Sequence, residues 1–106
     1  HIPGHQKVTS NIQSYGSLAV IQLHHAGMRT PNKLINKTSV CPSKNEEHEA
    51  RALYLEEVIQ LKTDFIDAAI RAKKVGYDGV EVHGAHGYIL TQFLSSKINK
   101  SDKYHY

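Results

Sequence analysis

The chain has 106 residues, enough for one modest core, and its 40% hydrophobic and 22% charged side chains are the ordinary mix of a globular protein. A net charge of +3 is carried on single and paired lysines, without the basic stripe and interleaved aromatics of a nucleic-acid surface. No apolar run approaches the ~18 residues of a membrane span. Cys41 is the one cysteine, so no internal disulfide can form, and a reducing cytoplasm is expected. The chain opens on His1 rather than Met with a polar start unlike a secretory signal, and an internal piece of a longer protein is expected.

Val8, Ile12 and Tyr15 sit at the spacing of one helix face, which predicts a short helix from about Gly4, stopped by Gly16. Leu18 to Leu23 is a short, nearly continuous apolar run, which predicts a strand buried on both faces as in a parallel sheet. From His24 to Ala50 the composition turns polar, with Pro31, Pro42 and many Asn, Lys, Thr and Ser residues, and a long loop is expected. Such a loop after a strand is where (β/α)8 barrels keep their active-site residues. Val58, Leu61, Phe65, Ala68, Ala69, Ala72 and Val75 return at three- and four-residue steps, predicting a strong helix from Leu55 to Val75 with Gly76 as its stop. Gly79 to Val82 is a second short strand, followed by the turn His83-Gly84-Ala85-His86-Gly87-Tyr88, an apolar stretch Ile89 to Leu94, and a polar, irregular tail from Ser95. The alternation predicts the α/β class, about two βα units of a parallel architecture. Two parallel strands make no stable sheet alone, so the remainder of a larger fold or a partner copy is expected to cover them.

Eight histidines are unusual for this length, and four fall in tight pairs, His24 with His25 and His83 with His86. Two imidazoles three residues apart, just past a strand, can converge on one small ligand. Their N–H groups can stabilise an oxygen that gains negative charge, and a nearby phenol such as Tyr88 can deliver a proton. On spacing alone three readings stand: an anion-binding pair, a partial metal site, or loop histidines without a role. A zinc site needs further ligands, and the helical His-Glu-x-x-His pattern is absent.

The segment Asp64 to Leu94, and within it Gly76-Tyr77-Asp78-Gly79-Val80-Glu81-Val82-His83 followed by Gly84-Ala85-His86-Gly87-Tyr88, closely resembles the signature of the Old Yellow Enzyme family. Gln22-Leu23-His24-His25-Ala26-Gly27 resembles that family's upstream strand motif. The resemblance is strong over residues 16–29 and 55–95, and the tail 96–106 diverges. It implies a partial FMN-binding (β/α)8 TIM barrel over residues 1–106, with the remaining strands lying outside this chain. It further implies that His83 and His86 hold the carbonyl or nitro oxygen of an activated alkene, that His24 lines the substrate side, and that Tyr88 is the proton donor. Gln22 would bind the pyrimidine end of FMN. The plainer alternatives are a buried strand glutamine bonded to backbone at Gln22 and simple loop residues at His24 and His25. Met28 separates the His-Ala-Gly run from Arg29, where the family has arginine directly, and Arg29 is assigned no role.

The resemblance thus implies an NAD(P)H-dependent FMN oxidoreductase reducing small electron-poor alkenes, cytoplasmic, without nucleic-acid or membrane partners, and open to homo-oligomer formation. The chain by itself is expected to be inactive, because two βα units close no barrel. Two rival readings stand beside it. One is a dienoyl-CoA reductase-like enzyme with an iron–sulfur cluster and further domains. The other is a metal-dependent hydrolase using His83 and His86.

Overall fold

The computed structural model describes residues 1–100; the end of the divergent tail, residues 101–106, lies outside the described residues. The chain forms two compact units, residues 1–23 with 59–82, and residues 24–58 with the described residues from 83 onward.

In the first unit, helix α1 (Ile2–Ser14) carries Pro3 in its opening turn, where a missing N–H costs nothing and the fixed φ favours the helix. That is why it starts before Gly4. Gly16, at φ 76°, ends it. The Thr9 hydroxyl is buried and donates to the Val75 carbonyl at 3.0 Å, tying α1 to the end of helix α3 (Leu55–Lys74). Strand β1 (Val20–Leu23) pairs in parallel with β4 (Gly79–Val82), Gln22 opposite Glu81 and Leu23 opposite Val82. A parallel pair needs a long crossover, and α3 lies in that connection. The Asp78 carboxylate sets the entry to β4. It accepts the Ala19 N–H at 2.8 Å and a Gln13 amide N–H at 3.0 Å. These bonds, the Ala19 N–H foremost, hold its pKa below the usual carboxylate range.

The strand expected over Leu18–Leu23 is shorter and is not buried on both faces. Leu23 is buried and joins Ile21, Ala68, Ala72 and Val75 around one cleft of about 210 Å³. Val20, by contrast, is 56% exposed and Leu18 77%. The physical reason is the size of the sheet: with two strands, one face meets the helix side and the other meets solvent. Helix α3 shows the same division, with its Ala72 stripe inward and Ile59, Ile66 and Ile70 exposed.

The second unit corrects the expectation of an irregular loop over His24–Ala50. It contains a 3-10 turn (Gly27–Arg29), a short helix α2 (Asn32–Ile35) and strand β2 (Val40–Cys41). Strand β2 pairs in parallel with β3 (Arg51–Ala52). Side chain–backbone bonds, invisible to hydrophobic periodicity, organise the segment. Asn32 accepts the Ser39 N–H at 2.7 Å and donates to the Glu49 carbonyl at 3.1 Å. Met28, Cys41 and Ala50 form its small core with Ile98 against them. Within the tail, Asn99 is fully buried and donates to the Phe93 carbonyl at 2.9 Å, so this part of the divergent segment is structural. The apolar stretch Ile89–Leu94 is a helix, α4.

Helix α3 starts on a charged clamp. Glu57 accepts the Tyr54 N–H at 2.8 Å, the backward bond of a capping box, and receives both ends of the Arg51 guanidinium at 2.7 and 2.6 Å. The Arg51 bonds, then the Tyr54 N–H, pull the Glu57 pKa from 4.5 down to about 2. A depressed folded pKa means stability that is fully present above the ordinary value and lost as pH falls through the folded one. Wild type should therefore melt higher than a Glu57→Gln variant above pH 4.5, with the gap closing as pH approaches about 2. Thermal melts of both proteins across that window measure it. A gap independent of pH would show that the clamp does not act through the carboxylate charge.

Candidate active site

The residues following the paired strand ends, His24 after Leu23 and His83 after Val82, open the two site-bearing segments of the second unit. There His24, His83, His86 and Tyr88 converge. The His24 and His83 ring centroids are 5.2 Å apart, His83 and His86 also 5.2 Å. The Tyr88 ring stands edge-on to His24 at 4.3 Å and to His83 at 5.0 Å. His86 is farther from it, at 6.4 Å.

Backbone conformation makes this convergence possible. His86 and Gly87 are both left-handed, at φ 56° and 71°, a pair that reverses the chain between the second histidine and the tyrosine. The His83 Nδ1 accepts the Ala85 N–H at 3.2 Å, so a neutral ring carries its proton on Nε2, where it can donate to a ligand oxygen. His25 is used differently: its Nδ1 accepts the Gly27 N–H at 3.0 Å, and its carbonyl accepts the Ile89 N–H at 3.0 Å. It braces the turn, while His24 is exposed beside His83 and Tyr88. Arg29, without an expected role, lies against Gly87: a Cβ built there would be 3.2 Å from its Nε.

Gln22 belongs to the first unit. It is exposed, not a buried strand glutamine, and its Nε2 donates to the Glu81 carboxylate across the strand pair. That bond uses the amide nitrogen and not the Oε1, which is an acceptor.

One residue that periodicity passed over proves central. Gln92 on α4 is completely buried, and its side chain bonds to Ala26, Met28 and Gly87. The only sequence signal was a polar residue inside an apolar stretch. Among the described residues no three His, Cys, Asp or Glu side chains are grouped to hold a metal ion, and no helix is long and apolar enough to cross a membrane.

Comparison with known proteins supplies the context for this geometry. The chain is 43% identical over 104 residues to the probable NADH-dependent flavin oxidoreductase YqiG of Bacillus subtilis, covering 94% of this chain and 28% of that protein. It is 41% identical to an NADPH dehydrogenase of Bacillus cytotoxicus, covering 98% of this chain and 31% of that one. The crystal structure of Old Yellow Enzyme from Pichia sp. AKU4542 superposes with a TM-score of 0.85 at 32% identity, over 97% of this chain and 31% of that chain. The fold is therefore a fragment of the Old Yellow Enzyme TIM barrel, and the chain spans about a third of the length of these relatives. That span also accounts for the uncovered strand faces, because a two-stranded sheet exposes surface that further strands of a barrel would bury. With the sequence profile of the NADH:flavin oxidoreductase / NADH oxidase family matching residues 1–105, the chain belongs to that family.

Proposed function

We propose that the whole protein is an FMN-dependent NAD(P)H oxidoreductase that reduces small electron-poor alkenes, enones or nitroalkenes, and that residues 1–106 are part of its FMN-binding barrel. The observation that carries this reading is the convergence of His24, His83, His86 and Tyr88 in one unit. The relatives named above, a probable NADH-dependent flavin oxidoreductase and an NADPH dehydrogenase, support a flavin enzyme using either nicotinamide. Family membership sets aside the metal-dependent hydrolase.

The exposed amide of Gln22 is chemically suited to the pyrimidine end of FMN. When bound, FMN supplies the hydride. The remaining work falls to side chains of this chain. His83, through Nε2–H, and His86 donate to the substrate's carbonyl or nitro oxygen and draw electron density away from the β-carbon. His24 borders the bound substrate. Tyr88 holds a phenolic proton for the α-carbon. A cytoplasmic location accords with the one thiol, Cys41, being free and buried.

A phenol mimics the polarised substrate, because its oxygen takes negative charge between the same donors. Titrating phenol into the FMN-loaded whole protein should produce saturable binding with a long-wavelength charge-transfer band. His83→Ala should raise the phenol Kd about 10- to 100-fold, the worth of a hydrogen bond to a charged group. Unchanged phenol binding in that variant would sink the role assigned to His83.

A further inference from the structure

We propose that Gln92 is the positioning residue of the substrate site, holding in register the two segments that carry His24 and the His83–Tyr88 group. The proposal rests on the reading of those residues given above and adds to it a side chain that touches no substrate. Gln92 is 0% exposed. Its Nε2 donates to the Gly87 carbonyl at 2.7 Å and to the Ala26 carbonyl at 3.3 Å, and its Oε1 accepts the Met28 N–H at 3.3 Å. Gly87 lies between His86 and Tyr88, and Ala26 follows His24 and His25. The Gln92 backbone N–H also donates to the Tyr88 carbonyl at 2.8 Å. One amide thus ties both segments by their backbones.

The chemistry of that position is narrow. It calls for two donors and one acceptor in a single plane, which a carboxamide supplies. Asn is a methylene too short, and a carboxylate would turn acceptor oxygens toward two carbonyls. A buried amide with both donors and its oxygen engaged also rigidifies what it joins, because a buried polar group left without a partner is costly. Site geometry depends on such support: a shift of about 1 Å in a positioned group can cost roughly 10²-fold in rate.

The test uses the FMN-loaded whole protein and phenol as probe. Gln92→Met keeps volume and removes every side-chain bond. It should retain FMN, raise the phenol Kd about tenfold and displace or weaken the charge-transfer band at saturating phenol. Gln92→Glu keeps the shape. Its protonated form restores one donor, so its phenol affinity should fall more steeply with rising pH than wild type as the buried carboxyl ionises. A Met variant that melts lower yet shows wild-type phenol affinity and band would reduce Gln92 to a purely structural role and overturn the proposal. Should the Met variant lose FMN, the Glu variant decides, and a pH profile parallel to wild type overturns it equally. Absence of phenol binding in the wild type would instead overturn the site reading on which the proposal stands.

Discussion

Replacing Tyr88 by Phe should slow alkene reduction by the FMN-loaded whole protein about 10²-fold or more, while leaving FMN reduction by NAD(P)H at the wild-type rate. The expectation follows from what the substitution removes and what it keeps. The Tyr88 ring is packed edge-on against His24 at 4.3 Å and His83 at 5.0 Å, contacts that Phe preserves. Its backbone carbonyl is held by the Gln92 N–H at 2.8 Å, independently of the hydroxyl. Only the proton source is lost, and a proton is needed when the substrate is reduced, not when the flavin is. Stopped-flow measurement of the two half-reactions separates them. Equal loss in both would mean that Tyr88 acts by shaping the site, and the assignment as proton donor would fall.

The second large effect is on stability. Gly27→Ala should destabilise the protein by about 2–4 kcal/mol, combining overpacking with a strained backbone. Gly27 is left-handed at φ 58°, and a Cβ there would sit 2.8 Å from the Gln92 Nε2 and 2.9 Å from its Cδ. Gln92 cannot swing aside without giving up its bonds to the Ala26 and Gly87 carbonyls. Gly4→Ala is the matched control, since its Cβ would meet nothing within 4 Å in a helix with ordinary φ, and it should be neutral or slightly stabilising. Denaturant unfolding of the two variants measures the contrast. Equal stability would show that Gln92 does not occupy the space beneath Gly27.

These predictions draw on different parts of the chain, and sequence alone revealed those parts unequally. Helix α3 and its Gly76 stop were legible because a long amphipathic helix repeats its apolar stripe many times. Strands β1 and β4 were legible as short β-branched runs, and their parallel pairing followed from the helix between them. The His83–Tyr88 motif was legible because its six residues are contiguous, with Gly87 at one of the two left-handed positions that the turn requires. What stayed hidden rests on contacts between distant residues. The 3-10 turn, α2 and β2 within the His24–Ala50 segment depend on Asn32 reaching Ser39 and Glu49, bonds with no periodic signature. The exposure of Val20 and Leu18 reflects how many strands surround them, which an apolar run cannot count.

The local chemistry of the candidate site, imidazoles and a phenol gathered after a strand, was therefore determined by the sequence itself, because those groups are neighbours along the chain. The resemblance had already put His24 beside them; only the tertiary structure decided that His25 braces the turn, that Gln22 lies exposed and paired with Glu81, and that Gln92 bonds to both segments. The first two depend on which segments the fold brings side by side, and the last on a buried amide that must find partners once removed from water, neither of which any local stretch of chain decides.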